Sequence, residues 1–512
     1  MDSASPPPHH SSMESNSPEP KLDAAMHSPV GHMMSPTDPD NPQRWPLSKK
    51  IYVSAVATAF AFAVAFGVTS LTVGIQGVMQ EFDISMTMAV LGLSLPLFGV
   101  AFAPIITPHL SERYGRSPVY FISLPVFALF ILGAAYSSSF GALAVCRFFA
   151  GFFGGPCLVL IEGTFADVWA PHSTVTYYSF LSLASYVGAG CAPLVLGAVV
   201  TAKSWQWTQF VTLMIAFAAY LLGIGIPETY PREILRSRAR RLGHSIQLAK
   251  AESGVTVAEM AQTTIFTPLA MAVSEPVVAM VTLYLALNYA VLFQWFIAVP
   301  AVLALTYNFT LHQVGLAFIA AIVGALVSSM TSSLTEKITN RRNCFTDTAA
   351  VAHLEYRLIP AIFGSVGLCG SLFWVGFTAS PSINHTVPIV GTGVYVWSSM
   401  SVLTGLVSYI FDAYPAKGTL SALTVMATVR ILCAAWLPLV IIPMIMGIQG
   451  KWAYSVFGFI AAAMMAVPLI LFIFGARLRS RSRHGVPVMS GSKGMMMGQH
   501  ADQEMQMSPG HA

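Results

Sequence analysis

Apolar residues along this 512-residue chain come in blocks of about 20 separated by short polar breaks, the spacing of membrane-spanning helices. Six blocks run at about 52–77, 86–108, 117–136, 141–162, 175–201 and 208–226. After a polar break six more run at about 277–304, 311–334, 357–379, 386–411, 419–447 and 452–475. At 1.5 Å per residue each can cross about 30 Å of hydrocarbon. The pattern predicts an all-α integral membrane protein of twelve transmembrane helices in two six-helix bundles, residues 47–226 and 277–476. Residues 1–46 and 477–512 lack apolar runs and are expected to be disordered tails, with no cleavable signal peptide. Residues 227–276 form a hydrophilic central loop. The seventh block starts about 225 residues after the first, and such a period suggests a duplicated transporter with its substrate site between the halves.

Composition agrees: 55 % of residues are hydrophobic and only 9 % charged, against about 25 % charged in soluble proteins. Bases crowd into alternate connections: Lys49 and Lys50, Arg113 and Arg116, the Arg232–Lys250 stretch, Lys337 to Arg342, Lys417, and Arg477 to Arg483. The other side holds only Lys203 and Lys451. The asymmetry predicts a multi-pass protein with both termini cytoplasmic; the plasma membrane is the expected location, with a vacuolar or vesicular membrane as the alternative. The net charge of +4 is small and the bases form no stripe, so no nucleic-acid partner is expected. The cysteines show no zinc-type spacing, and neither a metal nor a disulfide framework is expected. The lack of a phosphate-binding loop argues against transport driven by this chain's own ATP hydrolysis. The expected energy source is a proton gradient, without a cofactor, and a monomer is expected.

Polar residues at the span ends and inside the spans carry the candidate chemistry. Glu112, Arg113, Gly115 and Arg116 follow the second span, with Asp167 at the end of the fourth. A carboxylate and two guanidinium groups at helix ends can form a charge-assisted latch between the inward ends of the halves, with Asp167 as partner. The alternative is solvated anchors at the membrane surface. Arg147 and Arg430 lie inside spans, where a guanidinium must face a cavity or a partner. Snorkelling to the outer surface is the alternative for Arg147, and a structural bond to helix carbonyls for Arg430. Gly151 and Gly155 share a helix face and permit close packing.

The string Pro108-His-Leu-Ser-Glu-Arg-Tyr-Gly-Arg-Ser-Pro118 resembles the loop signature of the major facilitator superfamily, with Leu110, Glu112, Arg113, Gly115 and Arg116 in matching places. Arg147 with Gly151 and Gly155 is similar to that family's fourth-helix motif, which implies a part in substrate binding and proton coupling. Gly188, Pro193 and Gly197 resemble its antiporter motif, with Ala192 and Leu196 departing from it. Residues 41–50, Trp205-Gln-Trp-Thr, residues 227–241, residues 355–360, Asp412-Ala-Tyr and Arg430 resemble fungal twelve-span drug:proton antiporters. Within these the chain looks most like exporters accompanying toxin biosynthesis, such as that of the polyketide cercosporin. The resemblance implies a secondary transporter, not an enzyme, exporting a small hydrophobic or aromatic metabolite or drug.

Arg430 is placed near the midplane, while Glu162, Glu228, Glu275, Glu355 and Asp412 fall at predicted cytoplasmic ends. Cavity arginines without carboxylates at their depth argue against polyamines and for a neutral or weakly anionic aromatic substrate. Tyr284, Asn288 and Trp295 share one face of the seventh span and are candidates for the cavity wall. Glu162, Asp167 and Asp412 are candidates for the proton-carrying group. Asn308 and Asn384 head glycosylation sequons so close to the bilayer that no modification is favoured. A polyamine or azole exporter, a sugar carrier, an importer and a non-transporting nutrient receptor remain as alternatives.

Overall fold

The computed structural model describes residue 34 and residues 38–169, 174–241, 262–343, 352–414, 416–448 and 450–480. Within them all regular structure is helical. Eleven helices are long and apolar enough to span a membrane, and the bent pair Met86–Val100 and Ala103–Tyr114 makes a twelfth span. We number the spans α1 (Leu47–Thr69), α2 (the bent pair), α3 (Arg116–Ala135), α4 (Phe140–Val168), α5 (Thr174–Ala202) and α6 (Gln206–Gly223). The second half holds α7 (Pro276–Tyr307), α8 (Leu311–Ala317 continuing as Ile319–Asn343), α9 (Ile359–Thr378), α10 (Thr386–Ala413), α11 (Ala416–Ile448) and α12 (Gly450–Met464 continuing as Ala466–Ser480). Pro104, at the start of the second piece of α2, lacks an amide to continue the ladder and marks its bend of 40°.

Duplication is visible in the packing. In the first half α1 packs on α5, α2 on α4, and α3 on both α4 and α6; six helices later α7 packs on α11, α8 on α10, and α9 on both α10 and α12. The halves meet along α2 with α11 and along α5 with α8 and α10. Glycines set two of these approaches. A Cβ on Gly151 would collide with the Pro96 carbonyl of α2, and one on Gly155 would lie 2.6 Å from the Ala103 Cβ. In the antiporter-like segment, a Cβ on Gly197 would lie 2.7 Å from the Leu311 carbonyl of α8, and one on Gly315 would lie 2.6 Å from the Pro193 carbonyl. Gly188 packs instead against α1, at Phe62. Gly197→Leu is expected to wedge α5 from α8 and cut transport at least tenfold while leaving surface expression near wild type, as an efflux assay with membrane-fraction blotting would register.

Several boundaries move. The first span ends at Thr69 rather than near 77, and the chain turns into a separate helix, Ile75–Phe82. The carbonyls of Gly67 and Val68 are taken by Arg147, which draws the last turn of α1 onto a side chain. Span α4 continues to Val168, and α12 to Ser480, so residues 477–480 belong to a helix and not to a tail. The central stretch is helical at Pro231–Arg241 and at Gln262–Ser274. The expectation of disorder fails for residues 38–46: Pro42–Arg44 form a 3-10 turn, and Asp38 accepts both guanidinium bonds of Arg238 at 2.8 and 2.9 Å. Hydrogen bonding from Arg238 holds the Asp38 carboxyl below the usual carboxylate range. The rest of both tails and residues 242–261 lie outside the described residues. Asn308 terminates α7 in a left-handed conformation, and the Asn384 side chain accepts from the Thr386 amide at 3.0 Å.

Candidate functional site

A cavity of about 740 Å³ runs between the halves from mid-depth to the end that carries the arginine-rich connections. Its wall comes from both halves and is largely apolar and aromatic, with Tyr178, Tyr186, Tyr289, Phe293, Phe296 and Phe411 among the lining residues. At the opposite end Val68, Leu97 and Val100 pack with Ile431, Ala434 and Ala435, and Phe98 meets Trp436 edge to face at 5.5 Å, closing the cavity there.

Arg430 of α11 lines this cavity, as expected. Its guanidinium lies over the Tyr289 ring, 4.8 Å from the centroid, and its Nε is buried without a hydrogen-bond partner. Glu162 lines the same cavity and feels the charge of Arg430. This corrects the placement of Glu162 at a cytoplasmic helix end: because α4 runs on to Val168, Glu162 lies about 9 Å inside the helix end. The argument against cationic substrates loses its premise.

Arg147 is fully buried but stands outside the cavity wall, neither facing substrate nor snorkelling outward. It donates to Gly67 O (2.8 Å), Val68 O (2.8 Å), Gly92 O (2.9 Å) and Ser70 Oγ (3.2 Å), tying α1, α2 and α4 together. The stripe Tyr284, Asn288 and Trp295 is also absent from the cavity wall. Tyr284 donates to Ser365 Oγ (2.7 Å), Asn288 donates to Ser399 O (3.0 Å), and Trp295 stacks on Tyr395 at 4.3 Å. The cavity takes the other face of α7, Tyr289, Leu292, Phe293 and Phe296. Both faces are aromatic, so periodicity could not choose between them.

The latch residues divide. Arg116 pairs with Asp167, its Nη2 bonding Oδ1 at 3.2 Å, but both belong to the first half. Gly115 turns the chain from α2 into α3 with φ +89°, a region open to glycine, and a Cβ there would strike Glu228. Glu228 caps α3, accepting from the amides of Arg116 (2.9 Å) and Ser117 (3.1 Å). Arg113 is exposed over Tyr114, and Glu112 lies at the cavity mouth. The polar contact between halves at this end comes from residues that the sequence did not single out. Glu336 of α8 accepts from the amides of Val175 (3.2 Å) and Thr176 (2.8 Å) at the start of α5, and Arg357 holds both Glu336 and Asp412 (2.9 Å). Arg357 with Asp412 repeats in the second half the arrangement of Arg116 with Asp167, and Asp412 is thereby engaged outside the cavity wall. Arg357 lies in the 355–360 segment noted above for its resemblance, where nothing in the sequence marked it as the partner of a buried carboxylate.

The profile of the Major Facilitator Superfamily matches residues 56–435. The chain belongs to this family. As a family member it is a membrane transporter and not an enzyme. It is 31 % identical over 462 residues to the transporter mfs1 of Schizosaccharomyces pombe, covering 87 % of each chain. It is 29 % identical over 457 residues to the citrinin biosynthesis cluster MFS transporter mrr1 of Monascus ruber, covering 88 % of this chain and 91 % of that one. In fold it resembles the proton:xylose symporter XylE, with a TM-score of 0.61 at 13 % identity over 84 % of this chain and 96 % of that one.

Proposed function

We propose that this facilitator-family member exports a small aromatic metabolite, of polyketide type, or a drug from the cytoplasm by proton antiport and alternating access. The observation that carries the reading is the aromatic cavity between the halves, closed at one end and reaching the other end at the arginine-rich loops. The positive-inside rule makes that end cytoplasmic, with both termini, so the cavity would load from the cell interior. The similarity to a transporter of a citrinin biosynthesis cluster supports a secondary metabolite as cargo. A monomer in the plasma membrane is the state we assign. Glu162 on the cavity wall favours a second reading, a cationic cargo such as a polyamine.

The test is retention of a coloured aromatic quinone and a labelled polyamine, in parallel, by cells lacking their own exporters. Wild type is expected to clear the quinone several times faster than vector controls, and a proton ionophore is expected to abolish the difference. Clearance of polyamine alone would replace the aromatic reading by the cationic one.

A further inference from the structure

The connection between the halves holds two helices of opposite character. Pro231–Arg241 carries five arginines. Gln262–Ser274, a π-helical turn running into an α-helix, carries no charged residue at all. Its apolar side chains point both ways. Pro268 and Met271 are buried against the chain, while Ile265, Phe266, Leu269 and Val273 are 47, 64, 57 and 85 % exposed. The exposed four recur at helical spacing and so form one strip. A helix surrounded by water turns polar groups outward, and an apolar strip of this kind marks a contact surface.

What covers the strip follows from where the helix sits. Glu275 alone separates Ser274 from Pro276, the first residue of α7, and the helix packs on α7 and α11. The strip therefore continues the lipid-facing surface of the spans, which Leu283, two turns into α7 and 59 % exposed, belongs to. At 1.5 Å per residue the helix is roughly 20 Å long, too short to cross about 30 Å of hydrocarbon, so it lies along the membrane border. Its two parts touch different halves. Gln262–Phe266 reaches both α11 and Ala103–Tyr114, the second piece of α2, whereas Thr267–Ser274 lies on α11 and α7. Pro108 and Glu112 of that piece and Leu420 and Thr424 of α11 line the cavity, so the helix crosses from one half to the other beside the cavity mouth. We propose that Gln262–Ser274 is seated in the acyl-chain border of the cytoplasmic leaflet and ties α2 to α11 there, so that the rocking of the halves has to move it through lipid. The side of the membrane and the rocking rest on the exporter reading above; the seat in a leaflet does not.

The experiment places a small fluorescent amino acid, by stop-codon suppression, at Val273 or, as the water-side reference, at the exposed Arg241, in the full chain in lipid nanodiscs. Lipid brominated near the top of its acyl chains should quench position 273 about threefold more than position 241, and aqueous iodide should do the reverse. Iodide quenching at 273 equal to that at 241 would overturn the seat. Protection from both quenchers would overturn it too, since another stretch of this chain or a second copy would then cover the strip. In intact cells an impermeant external quencher should leave position 241 bright. Quenching there would overturn the cytoplasmic side and the exporter orientation, while the nanodisc result would still support the seat. The tie is tested by Phe266→Glu combined with Leu269→Glu, which should bring position 273 within reach of iodide and slow quinone clearance about fivefold with an unchanged melting temperature. Leu269→Gln, which interrupts the strip at one place, is the second handle should the double variant not fold. Clearance at the wild-type rate by a variant that has left the lipid would overturn the tie, and absence of clearance by wild type would overturn the exporter reading alone.

Discussion

Arg147→Ala is expected to produce a protein that inserts poorly and, once extracted, unfolds at a markedly lower temperature. The guanidinium supplies donors to three backbone carbonyls, Gly67, Val68 and Gly92, in a site closed to solvent. The first two cannot return to a regular helical ladder, because the chain turns after Thr69 into the helix at Ile75. Gly67 O would keep the Ser70 hydroxyl at 2.8 Å, but orphaning the Val68 and Gly92 carbonyls costs about 1–3 kcal/mol each, and emptying the side chain's volume adds to that. Arg147→Lys should recover little, since an ammonium cannot present the planar fork that spans α1 and α2. Fluorescence-detected thermal unfolding of detergent extracts measures this. A melting temperature within a degree of wild type, with transport lost, would return Arg147 to a direct role in coupling.

Arg357→Ala is expected to abolish most transport by a different route. Its loss leaves Glu336, almost fully buried, facing the first amides of α5 without its cation. An uncompensated buried carboxylate costs about 3–5 kcal/mol, and the cheapest relief is to separate α8 from α5 and admit water at the arginine-rich end. The cavity should open wider there. Cysteines placed at Ser182 or Ser185, both on the cavity wall, should then react severalfold faster with a membrane-impermeant maleimide from that side. Unchanged labelling would mean that the contact does not hold the halves. Arg357→Lys, which keeps a charge but loses the fork reaching both Glu336 and Asp412, should fall between the two.

Much of this architecture was legible because hydrocarbon imposes a length. Twelve apolar blocks and the pairing of Arg116 with Asp167 follow from the sequence, and the helices and contacts agree with them. What escaped depends on where helices end. Hydropathy ran α1 through Ser70 and Thr72, since nothing local announces that a side chain 80 residues away will claim the Gly67 carbonyl. It stopped α4 at Glu162, because a carboxylate looks like a terminus, and so removed from the cavity the one acid that lines its interior beside Arg430. On α7 the aromatic residues encircle the helix, and only packing against Ser365, Ser399 and Tyr395 decides which face is interior to its own half. Arg357 was hidden because its partners Glu336 and Asp412 lie 21 and 55 residues away and only the packed helices bring them together.

The two closures are built from different materials. Away from the basic loops, α5 meets α8 through backbone at Pro193, Gly197, Leu311 and Gly315, and α2 meets α11 through apolar side chains. At the basic end Glu336 and Arg357 make the join with charge. Dispersion and shape carry no charge, whereas a carboxylate held by two amides and a guanidinium can exchange those partners for water when the halves part. A fungal cell surface meets water of widely varying pH and salt, while the cytosol is buffered. With the orientation proposed above, the dry door would face the outside and the charged door the cytosol. The cell's own interior, not the medium, would then set how readily the cycle begins.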